Sequence, residues 1–514
     1  MRRLFIALLA LLLLAGCAVN PVTGRTELAL ISESQEIALG RQHYTPTQQM
    51  QGGPYNADPE LTRYVNAVGQ RLARVSDRPD LPYEFVVIND STPNAWALPG
   101  GKIGINRGLL VEMDSEGELA AVLSHEIVHA AARHGARNVE RGLMLQVGVM
   151  AIGASMRDQR HGQLVVAGAG LGAGLIAARY SREAEREADH YGMLYMSRAG
   201  YDPAAAITLQ ETFVRLAEER RSNWLAGLFA SHPPSQERVE ANRATAASLP
   251  AGGRVGQDEY RLRIATLTRA QEAYEQHDEG RQALHQGDHA KALRLAGQAL
   301  AQKPNEALFH GLRGDALYAA GRHDEALAAY DTAIAHNRDF FHFWLQRGLL
   351  RNELGDRSGA REDLAASNRL LPTSVAHNAL GRLALAAGDR GTAISHFTTA
   401  AEARGSEGDE ARRMLARLQL GSEPARFIDA SGSLDGQGRL LITVHNRAAL
   451  PVRDIVLQVR QHDAQGRPTG QQRIAVRGPL AAGATVRATT GLGPLSREAL
   501  ARLSVQVVEA RLVE

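Results

Sequence analysis

The sequence predicts three successive parts: an α+β domain, an all-α solenoid of helix pairs, and a small all-β, sandwich-like domain. Three observations carry that order. Helical periodicity is interleaved with short strands up to about residue 250, a period near 34 residues runs over 271–420, and short alternating strands between turn dipeptides fill 425–514. Of the 514 residues, 44% are hydrophobic, enough for more than one core. A net charge of +2 gives no basis for a nucleic-acid partner.

Residues 1–17 read as a secretory signal. Arg2 and Arg3 form its positive start and Leu4 to Leu14 its apolar stretch, too short for a stable bilayer anchor. It ends Leu14-Ala15-Gly16-Cys17, which resembles a bacterial lipobox, so cleavage before Cys17 and lipidation of that cysteine are expected. Ala18, rather than Asp, follows it. By resemblance to lipoprotein sorting signals, that favours the outer membrane, with the mature chain lipid-tethered in the periplasm. Cys17 is the only cysteine, which excludes an intramolecular disulfide and leaves no other thiolate for a metal.

A polar lead-in covers 18–57, with a helix expected from Glu33 to Tyr44, begun by Ser32 or Ser34. The first domain is expected over 58–250. Leu61, Tyr64, Val65, Val68 and Leu72 lie at helical spacing within Pro59–Val75. Tyr83–Ile88 reads as a strand and Lys102–Asn106 as another, with Arg107–Leu110 opening a short helix. The second strand is a candidate exposed edge to which an extended substrate could add, with Gly100 and Gly101 allowing close approach. The alternative is an ordinary internal strand. Two apolar stretches, 142–152 and 164–178, suggest a buried or capping hairpin; at 15 residues the second is short for a membrane span, and lipid contact is the alternative. Ser181 is placed to cap a helix that ends near Gly200, and Ser235 to cap another through Val239.

The chemistry lies in Ser124-His125-Glu126-Ile127-Val128-His129, an H-E-x-x-H inside an apolar helical run. Two histidines four apart stack on one face of a helix, where one Zn²⁺ can take both imidazoles. Glu126 follows the first of them and projects close to the metal without binding it, placed to take a proton from water. A catalytic zinc needs a third protein ligand, here a carboxylate or another histidine. Glu185 and Asp189, at i and i+4, share a face of the Ser181 helix, whereas Glu187 lies on another.

A linker helix is expected over 251–270. Beyond it, Gly287-Asp288, Gly321-Arg322, Gly355-Asp356 and Gly388-Asp389 recur at spacings of 34, 34 and 33 residues, with Ala292, Ala326, Ala360 and Ala393 in step. That is the tetratricopeptide period, with Glu410–Leu420 as a capping helix. Arg439–Val444, Ile455–Val459, Arg473–Val476, Thr485–Ala488 and Leu503–Val508 then read as short strands of a sandwich.

Four motifs stand in order: Asn94–Gly101 (N-A-x-A-L-P-G-G), His125–His129, Glu185–Asp189 (E-x-E-A-D) and Ser231–Pro233 (S-H-P). With them, the region from Asn20 to Asn242 resembles the zinc metallopeptidases (gluzincins) that include the prenyl-protein CAAX endopeptidases and the bacterial membrane heat-shock protease. With the repeats, the chain is most similar to the periplasmic beta-barrel assembly-enhancing proteases. The resemblance implies a zincin-like fold and one Zn²⁺ per chain, held by His125, His129 and Glu185. It implies Glu126 as general base and Asp189 as acceptor from the outer N–H of a zinc histidine, expected to be His125. It also brings His232 near the metal, either to donate to an oxyanion or to take the fourth zinc position and hold the enzyme latent.

Two functions are therefore in view. One is a zinc endopeptidase of the envelope acting on misfolded or misassembled proteins, its repeats recruiting substrate or the outer-membrane assembly machinery. The other is an envelope scaffold or chaperone-like binding protein with a latent metal site. Glu126 argues for the first, since a purely structural site needs no base.

Overall fold

The computed structural model describes residues 17–142, 180–218, 229 and 231–513. Residues 1–16 of the signal stretch 1–17, residues 143–152 of the apolar stretch 142–152, and all of 164–178 lie outside the described residues. Among the described residues no helix is long and apolar enough to cross a membrane. The chain divides into two compact units, one comprising the residues up to Leu354 with Arg369–Leu371, the other Gly355–Asn368 and the residues from Pro372 onward.

The first unit opens with a two-stranded ribbon, β1 (Cys17–Val19) against β2 (Thr26–Leu28). Helix α1 (Glu33–Met50) starts at Ser32, whose hydroxyl accepts from Gln35 N while the Gln35 side chain answers Ser32 N, a capping box. It runs two turns past the expected end, carrying Pro46 inside it. In α2 (Pro59–Ala73), Asp58 caps the start and Leu61, Val65, Val68 and Leu72 are buried as their spacing predicts. A three-stranded sheet follows, made of β3 (Glu84–Ile88), β4 (Ala95–Leu98) and β5 (Lys102–Asn106) in the order β3-β5-β4. Here the structure corrects the reading of Lys102–Asn106 as an exposed edge. β5 is the central strand, parallel to β3 and antiparallel to β4, and all five of its residues are buried. Both sides of its backbone are bonded, so it can accept no further strand. The edge is β4, within the N-A-x-A-L-P-G-G motif. Its register pairs Trp96 with Gly104, and Asn106 N donates to Asn94 O, so the backbone groups of Ala95 and Ala97 point away from the sheet.

Next come the short α3 (Arg107–Leu110), the motif helix α4 (Glu116–Ala131), α5 (Arg182–Arg198), α6 (Ala205–Glu218) and α7 (Gln236–Ala247). The 251–270 segment contains α8 (Gln257–Arg269), which lays Tyr260, Ile264 and Leu267 on the same core; the Tyr260 hydroxyl donates to Leu110 O. The first helix pairs, α9 (Gln271–His285) with α10 (His289–Gln302) and α11 (Ala307–Ala319) with α12 (His323–His336), together with α13 (Phe341–Glu353), complete this unit.

The repeats are built as their period predicts. Gly287, Gly321, Gly355 and Gly388 all hold φ between +74° and +88°, the left-handed turn that ends the first helix of each pair. The matching Ala292, Ala326, Ala360 and Ala393 are all fully buried. The first pairs also pack on the core of the α+β domain. Arg107, 4% exposed, stacks its guanidinium 3.4 Å above the Tyr274 ring, and the buried Glu306 carboxylate accepts from Asn89 Nδ2 at 3.1 Å and Tyr274 OH at 2.6 Å. Gln49 spans Asp339 O and Phe341 N with its one amide.

The second unit continues with α14 (Arg357–Leu370), α15 (Ser374–Ala386), α16 (Arg390–Ala400) and α17 (Ser406–Gln419). Six strands follow: β6 (Ile428–Leu434), β7 (Leu440–Asn446), β8 (Val452–His462), β9 (Pro468–Val476), β10 (Thr485–Thr489) and β11 (Leu503–Leu512), with the short α18 (Arg497–Ala501) before the last. They form two antiparallel sheets, β10-β7-β6 and β11-β8-β9, over a core of Ile442, Val444, Ile455, Leu457 and Val507. The sandwich expected from sequence is present, with one strand more: β6, whose Asp-Ala-Ser-Gly-Ser run has no β-branched residue to mark it.

Glu306→Ala would leave Tyr274 OH and Asn89 Nδ2 buried without an acceptor, at about 1–3 kcal/mol for each orphaned group. A lower thermal midpoint and faster tryptic cleavage between the α+β domain and the first repeat are expected; unchanged cleavage would show that this contact does not hold the unit together.

Candidate metal centre

Ser115 caps α4, its hydroxyl accepting from Glu118 N, and every residue of the helix is buried except His125. A helix apolar on all sides is a core helix. The motif therefore presents its histidines inside the protein, not on a wet face. Helix α5 lies against it, capped by Ser181 as expected. Close approach depends on Gly192, where a Cβ would stand 3.2 Å from Ser124 Oγ and 3.3 Å from His125 N. That contact brings Glu185 and Asp189 to the two histidines. The third contribution is the Ser231–Ser235 loop, fixed by the Ser235 cap of α7.

All six expected residues of the site come together. His125 Nε2 lies 3.0 Å from His129 Nε2, 3.3 Å from His232 Nδ1 and 3.6 Å from Glu185 Oε2. Glu185 Oε1 lies 3.4 Å from His129 Nε2 and 3.0 Å from His232 Nδ1. Zinc bonds of about 2.0–2.1 Å at tetrahedral angles would set donor atoms about 3.4 Å apart. Four donors from His125, His129, Glu185 and His232, all within 4.8 Å of one another, fit that figure. The donor chemistry fits as well, because three imidazoles and one carboxylate suit zinc. Glu126 Oε2 and Glu185 Oε2 are buried without a hydrogen bond. Glu126 stands beside the donors, with its Oε1 3.5 Å from His232 Nε2.

Asp189 takes the expected place, with Oδ1 3.0 Å from His125 Nδ1. Sequence reasoning missed what holds it. Arg238 donates Nε to Asp189 Oδ2 and Nη2 to Asp189 Oδ1, both at 2.7 Å, a bidentate pair. Its Nη1 reaches Pro233 O at 3.1 Å and lies 3.1 Å from Glu185 Oε2. One guanidinium thus ties the His232 loop to both acidic residues. The signal was legible: an arginine one turn into the Ser235-capped helix, opposite two carboxylates that needed a counter-charge. Tyr180 was missed too; its ring stacks on His129 at 3.9 Å. His134 and Glu187 were not expected at the site either, yet His134 Nδ1 lies 2.7 Å from His129 Nδ1 and Glu187 meets the other side of the His134 ring.

The electrostatics follow from burial. Burial disfavours an imidazolium at His125, but hydrogen bonds to Asp189 and Glu185 outweigh it and push its pKa up to about 10. Burial leads at His129 and holds it well below the usual range. Burial lifts Glu126 above the ordinary carboxylate range, against His232 and His125. Glu185 is held well below it, because His232, His125 and His129 overcome its desolvation. Beside the cluster opens a cleft lined by His125, Glu126 and His232 together with the apolar Leu109, Met193, Leu209 and Phe213.

Residues 59–246, which contain every one of these groups, match the model of peptidase family M48. The domain belongs to peptidase family M48. Residues 277–340 and 317–373 match the tetratricopeptide repeat. The M48 domain is therefore a metallopeptidase domain joined to tetratricopeptide repeats. Among relatives, the beta-barrel assembly-enhancing protease of Escherichia coli K12 is 30% identical over 255 residues, 48% of this chain and 51% of that protein. The Yersinia pestis protein of the same name is 32% identical over 219 residues, covering 42% and 43%. The mitochondrial metalloendopeptidase OMA1 of Schizosaccharomyces pombe is 41% identical over 181 residues, covering 35% and 51%. The chain spans about half the length of the curated relatives it matches.

Arg238→Met would remove the guanidinium shared by Asp189 and Glu185 and leave only imidazoles to answer them. A loss of about 3–5 kcal/mol in the metal-free protein is expected from the broken buried pair, read as the shift of the urea transition followed by fluorescence.

Proposed function

We propose that the chain is a zinc-dependent endopeptidase of the bacterial envelope that hydrolyses misfolded or misassembled envelope proteins, its repeats recruiting substrate or partner. The observation that carries this is the buried donor set of His125, His129 and Glu185 with the carboxyl of Glu126 beside it, inside an M48 domain. The envelope part rests on the lipobox-like Leu14–Cys17 and on relatives named for β-barrel assembly, with Cys17 as the lipid anchor. The OMA1 relatives support the chemistry alone.

Zinc, when bound, supplies Lewis acidity that polarises the scissile carbonyl and acidifies water at neutral pH. The chain's own residues do the rest. Glu126, lifted by burial, takes the proton from the attacking water and returns it to the leaving amine. Asp189 accepts from His125 Nδ1–H and so keeps the Nε2 lone pair facing inward. Arg238 holds Asp189 in that pose. The outward backbone groups of Ala95 and Ala97 are placed to bind an extended substrate as an added strand, since Ala95 also lines the cavity beside Glu126. The apolar wall of that cavity suits an aliphatic or aromatic side chain next to the scissile bond.

His232 Nδ1 lies as close to the other donors as they lie to each other, which favours a fourth-donor role over an oxyanion contact. Were His125, His129, Glu185 and His232 all to hold the zinc, the His232 loop would have to withdraw to admit water and the carbonyl. The second reading, a scaffold with a latent site, draws on the same observation.

Glu126→Gln is expected to keep one zinc per chain by elemental analysis and to lose about 10²–10⁴-fold in casein cleavage, while o-phenanthroline abolishes wild-type cleavage and added zinc restores it. Absence of turnover in every form, with zinc bound, would favour the scaffold. His232→Ala is expected to raise the rate on unfolded protein; a loss at full zinc occupancy would return His232 to the oxyanion role.

A further inference from the structure

We propose that His134 and Glu187 are positioning residues for the second metal histidine, forming an outer chain His129–His134–Glu187 that fixes its tautomer; this rests on the zinc reading above. His125 has a support in Asp189. The H-E-x-x-H pattern says nothing of one for His129, and the structure supplies it.

The geometry leaves little freedom for the protons. His129 Nε2 faces the donors, 3.0 Å from His125 Nε2 and 3.4 Å from Glu185 Oε1. Its Nδ1 points the opposite way, to His134 Nδ1 at 2.7 Å. Two ring nitrogens at that distance share one proton. For Nε2 to offer its lone pair to a cation, the proton must sit on His129 Nδ1, with His134 Nδ1 accepting. His134 then carries its own proton on Nε2, which faces Glu187 Oε2 at 3.2 Å. Glu187 is held from outside by Arg25 Nη1 at 3.4 Å and Arg137 Nη2 at 3.8 Å. A carboxylate at the end of the chain makes His134 a better acceptor and His129 a better ligand.

The backbone is shaped for this contact. On an unbroken helix, residues five apart point about 140° away from each other, so His134 could not return beneath His129. The helix instead stops at Ala132, and Arg133 takes φ +61°, a left-handed conformation that costs a non-glycine residue of order 1 kcal/mol. Arg133 is kept there by its Nε–Oε2 pair at 3.1 Å with Glu36, a fully buried carboxylate that also pairs with Arg78. Helix resumes over 134–142 with the His134 ring folded under the site. Helix α5 then serves the site three times at alternate positions: Glu185 toward the donors, Asp189 to His125, and Glu187 to His134.

The test uses the full chain and reads zinc affinity by competition with a chromophoric chelator, beside the visible spectrum of the Co²⁺-loaded protein. His134→Leu is expected to weaken zinc by about 10–100-fold, and Glu187→Gln by less in the same direction. His134→Gln, whose amide oxygen can accept from His129 Nδ1–H, should recover most of the loss. The double variant His134→Leu with Glu187→Gln should bind no more weakly than His134→Leu, because the two act in series. Wild-type affinity in both His134→Leu and Glu187→Gln, or equal losses in His134→Leu and His134→Gln, would overturn the proposal. If His134→Leu fails to fold, Glu187→Gln at the accessible rim decides alone. A wild-type chain that binds no zinc would overturn the zinc reading, and this proposal with it.

Discussion

The constraint on which this protein turns is charge compensation at a buried site. Glu126, Glu185, His129 and His232 are buried, and His125 and Asp189 stand half-buried at the edge of the adjoining cleft. An isolated buried carboxylate costs far more than a domain can spare. Each must therefore be answered locally: Asp189 by Arg238 and His125, and Glu185 by the donor imidazoles. Capping by Ser115 and Ser181, the close approach at Gly192 and the proline-rich loop at His232 all serve to make that compensation geometrically possible.

Much of this was legible in the sequence, for identifiable reasons. Ligands on one helix face obey a fixed spacing, so His125 and His129 could be paired from their numbers alone. Repeats announce themselves by period, and the left-handed glycines and buried alanines stand where that period put them. Glu185, Asp189 and His232 needed a family pattern, because contacts between separate helices leave no local trace. What escaped was of two kinds. Arg238 offered a charge to be matched rather than a spacing to be read, and His134 acts through an αL residue, which breaks the helical arithmetic that made the rest readable. β4 and β6 lack the β-branched alternation that marks a strand, and mistaking β5 for an edge followed from not seeing β4 beside it.

The repeats are not an appendage hung on a finished enzyme. Within the first unit, helix α9 and the Lys303–Ala307 turn pack on the same side chains that close the α+β domain: Tyr55, Asn89 and Arg107. One surface of the first repeats is thereby taken by the chain itself. Beside them lie two clefts that share Ser91, Arg107 and Asp278.

The amide of Gln49 and the carboxylate of Glu306 have a practical corollary. Severing the polypeptide at residue 270 would strip cover from Tyr55, Asn89 and Arg107 at once, baring an oily, half-satisfied scar on the catalytic fragment. Such a fragment would tend to clump, so any genetic shuffling of these modules must carry at least two helix pairs along with the peptidase.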